Sequence, residues 1–285
     1  MWPRRLSLVC VLASPLLLGG ALADNPWPSF QTPKRGPARA IGDYASGCLQ
    51  GARELSLDGP GYQVMRPSRR RFFGHPDLVD FVRGLGRRVR KQRLGVLLVG
   101  DLSQVRGGRA AGGHASHQTG LDVDLWYTYP KSALQGPLPA SVREEISAES
   151  VVAEDGSGIR NVWRRRVTEL LRLTVQDARV DRVFVHPVIK RELCTRESER
   201  AWLRRIRPWY GHDDHLHVRL ACPEASEACK PQAALPEGDG CDKLDFWFDP
   251  EAQAARKESQ KEYQKTVREG RGWPEQCDAL LDARR

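Results

Sequence analysis

The segments GGHASHQTGLDVDLWY (residues 112–127) and RPWYGHDDHLHVRLACP (residues 207–223) hold five of the seven histidines of this 285-residue chain. Core packing explains such a concentration poorly, because each buried imidazole needs a hydrogen-bond partner. Imidazole and carboxylate groups are the usual ligands of catalytic zinc, which takes three protein ligands and leaves one position for water. The two segments therefore predict a metal centre.

Acidic residues and histidines alternate with apolar residues in both segments, as they do in β-strands. Asp122 and Asp124 are two residues apart, and so are His215 and His217. Side chains two apart on a strand project from the same face, with Cα atoms roughly 6.7 Å apart. If the two strands are neighbours, two carboxylates and two imidazoles converge, and His117 can fold back over them from the preceding glycine-rich loop.

The rest of the chain mixes helices and strands without a regular βαβ order. Hydrophobic spacing predicts helices over residues 76–93, 161–178 and 197–206, and strands over residues 94–99, 121–127, 182–185 and 215–220. We therefore predict an α+β fold: a single domain whose small, mostly antiparallel central sheet carries the metal site, flanked by helices and long loops.

The N-terminus has the features of an export signal. Arg4 and Arg5 precede an apolar stretch over residues 6–18, which is too short to cross a membrane, and Ala21-Leu22-Ala23 forms a small-x-small cleavage site. We predict a cleaved signal peptide over residues 1–23 and no membrane span after cleavage. The proline-rich residues 24–40 are expected to form an extended arm.

Cysteine usage agrees with export. Cys10 leaves with the signal peptide, so six cysteines remain. An even number in an exported chain predicts three disulfides, although sequence alone allows fifteen pairings. The bonds are expected to staple the domain.

The chain is basic, and its net charge of +9 becomes +7 when Arg4 and Arg5 leave with the signal peptide. A basic surface favours an anionic partner, and export makes nucleic acid the weakest candidate for that partner. The basic run Arg69-Arg70-Arg71 is interpreted as a solvated loop.

The two histidine segments also resemble a known family. His117 followed by Asp124, and then His-x-His far downstream, is similar to the ligand pattern of the lysostaphin, D-Ala-D-Ala peptidase and hedgehog group. With FFGHPDLVDFV (residues 72–82) and VFVHPVIKRELC (residues 183–194), they look more closely like the penicillin-insensitive murein endopeptidases. The likeness runs from about Gly42 to Cys241.

The resemblance implies roles for the motif residues. His117, Asp124 and His217 would bind zinc, His215 would act beside the metal in catalysis, and His212 would orient the substrate or the metal-bound water. From its position on the strand, Asp122 is predicted to hold a ligand imidazole, although a surface strand residue would fit the pattern nearly as well. Asp214 is a competing catalytic base, but strand alternation predicts that it points away from His215.

Two further positions, His114 and Asp155, resemble residues linked to additional metal binding in the family. Gly158 stands where a histidine would be expected. We therefore predict one catalytic zinc ion and doubt a second. The resemblance also implies a zinc peptidase domain over residues 41–250 and a charged tail over residues 251–285, tied back by Cys277. The implied disulfides are Cys48–Cys277, Cys194–Cys241 and Cys222–Cys229.

The implied activity is hydrolysis of the D-alanyl–meso-diaminopimelyl cross-bridges of peptidoglycan in the periplasm. Such an enzyme would be insensitive to β-lactams, because it has no serine nucleophile for them to acylate. A zinc D,D-carboxypeptidase or dipeptidase acting on stem peptides, and a non-catalytic zinc-braced wall-binding protein, are alternatives with the same ligands. The expected partner is cross-linked peptidoglycan peptide, and the oligomeric state is left open.

Overall fold

The computed structural model describes residues 25–112, 114–268 and 272–282, so the predicted signal peptide lies outside the described residues. The strands are β1 (Arg39–Asp43), β2 (Ser46–Gln50), β3 (Arg53–Glu54), β4 (Asp58–Gly59), β5 (Tyr62–Val64), β6 (Phe73–Gly74), β7 (Leu97–Val99), β8 (Asp122–Trp126), β9 (Val180–Val185), β10 (Ile206–Pro208) and β11 (His215–Leu220). The α-helices are α1 (Pro76–Lys91), α2 (Ala140–Glu145), α3 (Arg165–Val175), α4 (Pro187–Arg196), α5 (Asp245–Phe248), α6 (Pro250–Arg268) and α7 (Asp278–Leu281).

A seven-stranded sheet in the order β10-β9-β11-β8-β7-β5-β4 forms the centre of the described fold. The pairs β10–β9 and β5–β7 are parallel, and the other four are antiparallel. The predicted α+β fold with a mostly antiparallel sheet is therefore confirmed. The strands that carry the two motifs, β8 and β11, are direct neighbours, and their register places His217 opposite Asp124 and Arg219 opposite Asp122.

Two His-Pro pairs begin helices. His75 caps α1 by accepting a hydrogen bond from the Asp77 amide at Nδ1, and His186 caps α4 in the same way through the Val188 amide. The proline that follows each histidine occupies the first turn, where its missing N–H costs no hydrogen bond. These two histidines therefore serve the fold.

The helices α1 and α3 supply apolar stripes to the main core. The stripe of α1 recurs at helical spacing and is fully buried, as the sequence pattern predicted. It comprises Leu78, Phe81, Val82, Leu85 and Val89. Together with residues of α3 and the central strands, these side chains form one continuous hydrophobic cluster, which supports the sheet under the motif strands.

The helix predicted over residues 197–206 is wrong. The chain there forms a 3-10 helix over Ala201–Arg205 and then β10, which pairs in parallel with β9. Pairing with β9 holds Ile206 in an extended conformation, and Pro208 in turn disfavours the α conformation at the preceding residue, Arg207. The apolar residues whose spacing indicated a helix are buried in these two elements: Leu203 in the 3-10 helix and Ile206 in β10.

The two ends of the described chain pack against each other. Trp27, in a 3-10 helix of the N-terminal segment, is buried with its ring centroid 5.3 Å from that of Trp273. The helix α6 lies in the charged tail, before Trp273 in the sequence.

No helix in the described ranges has both the length and the apolar character needed to cross a bilayer.

Three disulfides link the described cysteines: Cys48–Cys277, Cys194–Cys241 and Cys222–Cys229. The prediction of three bonds is confirmed, and the pairs are those that the family resemblance implied. The first bond spans 229 residues and attaches the C-terminal segment to β2, whereas the third closes a separation of only 7 residues.

Loss of the long disulfide should destabilise the protein more than loss of the short one. In the chain-entropy treatment, closing a longer loop removes more entropy from the unfolded chain. We expect Cys48→Ser/Cys277→Ser to lower the free energy of unfolding by about 4–5 kcal/mol, and Cys222→Ser/Cys229→Ser by about 2 kcal/mol. Urea unfolding of the three oxidised proteins measures both losses. Equal losses, or the reverse order, would show that strain or local packing, and not loop length, determines how much each disulfide stabilises the protein.

Candidate metal centre

The carboxylate of Asp124 lies at the centre of a group of four imidazoles. Its Oδ2 is 3.1 Å from His114 Nε2. Its Oδ1 is 3.2 Å from His217 Nδ1, 3.4 Å from His117 Nε2 and 3.6 Å from His215 Nε2. Only 4% of Asp124 is exposed, so the structure brings these predicted residues together in a buried position.

The backbone and one ring nitrogen of His117 fix its orientation. Nδ1 lies 2.6 Å from the carbonyl oxygen of Leu102 and must donate to it, which leaves Nε2 as the unprotonated nitrogen facing Asp124 in the neutral ring. The residue has a φ of 68°, in the left-handed region. This conformation costs on the order of 1–2 kcal/mol for a residue with a Cβ and persists only where surrounding contacts impose it.

A second carboxylate lies beside His217, at ion-pair distance but without a hydrogen bond to His217 Nε2. Asp122 Oδ1 lies 3.2 Å from His217 Nε2, on the side of the ring opposite to the Nδ1 that faces Asp124. Asp122 is fully buried and also accepts two hydrogen bonds from Arg219, at 2.8 and 3.1 Å. A carboxylate behind a ligand imidazole fixes its tautomer and raises its basicity, so this position suits the role predicted for Asp122.

Asp214 contacts His215, which corrects the prediction that it points away. Its Oδ1 pairs with His215 Nδ1 and leaves His215 Nε2 directed toward Asp124. Burial lowers the pKa of His215, but Asp124 and Asp214 outweigh that effect and raise it. The His215 ring is therefore held at Nδ1 by one carboxylate, and its Nε2 remains available to exchange a proton or to bind a ligand.

His212 lies next to this pair, with its ring centroid 5.1 Å from that of His215. Its Nδ1 donates to the carbonyl oxygens of Trp209 and Tyr210. Burial lowers the pKa of His212 to about 3, and the neighbouring imidazoles of His217 and His215 act in the same direction. The ring is therefore neutral at physiological pH, with Nε2 free to accept a proton or a hydrogen bond.

Asp101, which is separated from the end of β7 by Gly100, has no role predicted from the sequence. Its Oδ2 is 3.4 Å from His114 Nε2 and 2.7 Å from Arg71 Nη1. Burial opposes ionisation, but the hydrogen bond from His114 and the charge of Arg71 lower the pKa of Asp101 to about 2. The position of Asp101 at the end of a predicted buried strand was the signal that could have revealed it.

The donor set fits a metal ion. Three buried side-chain atoms that face one another have no hydrogen-bond partner among the described residues: His117 Nε2, Asp124 Oδ1 and His215 Nε2. Buried polar atoms are nearly always satisfied, so a shared cation between them would remove an unusual deficit. His114, His117 and Asp124 each offer a ligand atom within 4.8 Å of the others.

Protonation competes with metal binding in this group. Burial lowers the pKa of His117, but the charge of Asp124 outweighs it and raises the pKa to about 9. The same imidazoles hold the pKa of Asp124 well below its usual range against the opposing effect of burial. Because a metal takes the neutral imidazole, binding must release the proton that His117 otherwise carries.

Asp155, the other predicted accessory residue, is exposed on the loop between Val152 and Ile159. Its Oδ1 accepts a hydrogen bond from the Ser157 amide, and it is not part of the compact ligand group found among the described residues. His114 thus lies within the centre, whereas none of the described contacts of Asp155 is with it.

An open cleft of about 180 Å³ lies beside the centre. His114, Asp124 and His215 line one side, and Met65 and Trp126 contribute apolar surface. Trp126 thus borders the cleft. A small extended substrate could therefore reach the imidazoles from solvent.

Arg219 should contribute strongly to stability because it neutralises the buried Asp122. We expect Arg219→Met to lower the free energy of unfolding by about 3–5 kcal/mol, as is typical when one partner of a buried ion pair is removed. The pKa of Asp122 is held below its unfolded value despite burial, chiefly by Arg219 and His217. The stabilisation is therefore complete above the unfolded pKa of about 3.9 and is lost as the pH falls below it.

Urea unfolding at about pH 7 and at about pH 2.5, which lies below the unfolded pKa of an aspartate, measures this effect. Between the two pH values, the free energy of unfolding of Arg219→Met should fall by less than that of the parent protein. The double variant Arg219→Met/Asp122→Asn should recover part of the loss, because no unpaired buried charge remains. If the double variant were as unstable as the sum of both single variants, the cost would come from packing against Tyr44 and not from charge.

A buried carboxylate among imidazoles at the edge of a cleft is a candidate hydrolase centre, and comparison with known proteins defines the class: the protein is a peptidase. The family model described as penicillin-insensitive murein endopeptidase matches residues 40–282. The chain belongs to that family, in agreement with the resemblance of its motifs.

Similar proteins support this assignment over most of the chain. A relative from Klebsiella pneumoniae subsp. pneumoniae named penicillin-insensitive murein endopeptidase is 44% identical over 248 residues, covering 86% of this chain and 88% of the relative. Relatives with the same name from Yersinia enterocolitica and Escherichia coli are each 40% identical. Their alignments cover 94% and 97% of this chain, and the same shares of the relatives.

Proposed function

We propose that this protein is an exported zinc endopeptidase that hydrolyses the D-alanyl–meso-diaminopimelyl cross-bridges of peptidoglycan in the periplasm. The observation that carries the proposal is the convergence of unpartnered imidazole and carboxylate atoms on Asp124, beside an open cleft. The names of the relatives supply the substrate class. The three disulfides suit an oxidising compartment, as does the predicted signal peptide over residues 1–23.

In this proposal, His117, Asp124 and His217 hold one zinc ion. Zinc in such a site lowers the pKa of a bound water molecule to about 7 and polarises a carbonyl oxygen. Asp122, whose Oδ1 lies 3.2 Å from His217 Nε2, would support the His217 ring as a ligand. Since no serine takes part, β-lactams would find no nucleophile to acylate.

His215 provides the acid–base chemistry. Its Nε2 accepts a proton from the attacking water and returns a proton to the leaving amine, while Asp214 holds Nδ1. His212 is neutral, and its free Nε2 can orient the substrate next to His215. The arrangement replaces the glutamate base of many zinc peptidases with an imidazole and its carboxylate.

Digestion of purified cross-linked muropeptide dimers tests the proposal directly. The mature protein is incubated with dimers, with and without a chelator, and the products are analysed by mass spectrometry. Conversion of dimers to monomers with one added water, abolished by chelator and restored by zinc, is the expected result. Release of terminal D-alanine from intact dimers would support a D,D-carboxypeptidase instead, and bound zinc without turnover would support a zinc-braced wall-binding protein.

The identity of the third ligand can be tested separately, because His114 Nε2 and His217 Nδ1 are almost equally close to Asp124. We expect His217→Gln to weaken zinc binding by more than about 100-fold and His114→Gln by less than about 10-fold, because Asp122 stands behind His217 and supports it as a ligand. Zinc titration of chelator-treated protein measures both affinities. The reverse order would assign the site to His114, His117 and Asp124.

A further inference from the structure

A second cavity, of about 410 Å³, lies next to the cleft and is lined by Arg69, Arg70 and Arg71. Arg69 and Arg70 are exposed, as the interpretation of this run as a solvated loop predicted, and the run also lines the wall of this cavity. We propose that the cavity is an anion subsite that binds a free carboxylate of the peptide substrate. The proposal rests on the proposed function and extends it to substrate recognition.

Arg69 connects the two spaces, because it lines both the arginine cavity and the cleft at the metal centre. Arg71 provides a second connection: its guanidinium donates to Asp101 at 2.7 Å, and Asp101 lies 3.4 Å from His114. A peptide with its scissile bond at the metal centre could therefore extend a charged group into the arginine cavity.

The cavity has more positive than negative charge. Asp101 is the carboxylate that pairs with Arg71, and it lies at the longer distance of 3.5 Å from Arg69. Within the described part of the chain, no carboxylate lies within ion-pair distance of Arg70; its Nη2 donates to the carbonyl oxygen of Gln31. The side chain of Arg69 is 41% exposed and can turn its planar donors toward a ligand.

The backbone holds the arginines in place. Arg66 and Arg70 flank a 3-10 helix over Pro67–Arg69, and both have positive φ values, of 51° and 52°. Ser68 donates its amide and its hydroxyl to the carboxylate of Glu144, which anchors the segment to α2. Left-handed conformations at residues with a side chain cost energy and persist where the surroundings impose them, so the segment is pre-organised rather than a loose loop.

A carboxylate is the ligand that best fits this chemistry. Guanidinium groups bind carboxylates through paired N–H···O bonds that are about twice as strong as neutral hydrogen bonds. The proposed substrate offers such groups, since a diaminopimelyl residue within a peptide keeps one carboxyl free and a peptide strand ends in another. A cavity lined by three arginines that share one carboxylate, Asp101, would thus distinguish a free carboxylate from an amide at the same position.

Two matched substrates and two matched variants test this inference. The substrates are a cross-linked muropeptide dimer with free carboxyls and the same dimer with those carboxyls amidated. The variants are Arg69→Gln and, as a control with the same change of charge, Arg87→Gln, whose exposed side chain on α1 lines neither space. The first measurement is dimer binding to chelator-treated protein, which involves no turnover.

We expect the parent protein and Arg87→Gln to bind the free-carboxyl dimer about 10- to 100-fold more tightly than the amidated dimer, the range expected for hydrogen bonds to a charged group. Arg69→Gln should lose most of that preference, and a third variant, Arg69→Lys, should keep part of it. Zinc content should be the same in all four proteins. The parent should show the same preference in KM, with kcat little changed.

Equal binding of the two dimers by the parent protein would overturn the inference, as would a preference that survives in Arg69→Gln. These outcomes differ from failure of the proposed function. If dimers bind with the expected preference and are not cleaved, the subsite stands and the proposed reaction is wrong. If dimers are cleaved without preference, the reaction stands and the subsite is wrong.

Discussion

Asp124→Asn should lower kcat/KM for muropeptide dimers by at least about 1,000-fold, which corresponds to about 4 kcal/mol of transition-state stabilisation. Asp124 contacts four imidazoles and lies opposite His217 in the β8–β11 register. An amide has nearly the same shape but lacks the negative charge that binds a metal cation. The variant should therefore remain folded while zinc affinity and turnover are lost together.

Asp155→Asn is the matched control for this prediction. It makes the same chemical change at an exposed loop residue that the family resemblance had linked to accessory metal binding. We expect the parent zinc content of one ion per chain and the parent kcat/KM. Zinc content by mass spectrometry under native conditions and dimer digestion provide the two measurements. If Asp124→Asn kept zinc and activity, Asp124 would not be a ligand, and a loss of zinc in Asp155→Asn would reveal a second site.

The convergence of the motif residues was predictable from sequence because strand alternation is a local property. Asp122 and Asp124 share a face in any regular strand, and the same holds for His215 and His217. The expectation that their strands are neighbours was conditional, and the β8–β11 pairing meets that condition. The contact between Asp122 and Arg219 depends on register across 97 residues, which no local pattern encodes.

The prediction that Asp214 points away from His215 was wrong because it assumed that strand alternation applies to Asp214. Alternation applies within a strand, but β11 begins at His215, so Asp214 belongs to the preceding turn. There its side chain is free to turn back and pair with His215 Nδ1. The predicted strand over residues 215–220 has the same bounds as β11, so the error lay in applying strand alternation to Asp214, one residue before the strand begins.

The short strands were missed for a related reason. β3, β4 and β6 contain two residues each, too few to show any periodicity. β3 pairs with β6, and β4 pairs with β5. The same lack of local signal hid the arginine cavity, since Arg69-Arg70-Arg71 is equally compatible with a solvated loop until its neighbours are known.

His215→Gln should lower kcat by about 100- to 10,000-fold and leave zinc binding unchanged, the range expected for loss of a general acid–base group. His215 Nε2 is buried and has no hydrogen-bond partner among the described residues, whereas Nδ1 is held by Asp214. Glutamine keeps much of the volume of the ring but cannot carry a proton. The effect should therefore appear in kcat rather than in KM or in metal content.

Asp214→Asn distinguishes acid–base chemistry from metal binding at His215. An asparagine still accepts a hydrogen bond from Nδ1 but no longer stabilises the charged imidazole, so we expect a smaller loss in kcat, of about 10- to 100-fold. Single-turnover digestion of dimers, with zinc content measured on the same samples, provides the comparison. Full activity in His215→Gln with zinc retained would transfer the acid–base role to His212 or Asp214. Loss of zinc from His215→Gln would instead make His215 a ligand, because its Nε2 is only 3.6 Å from Asp124 Oδ1.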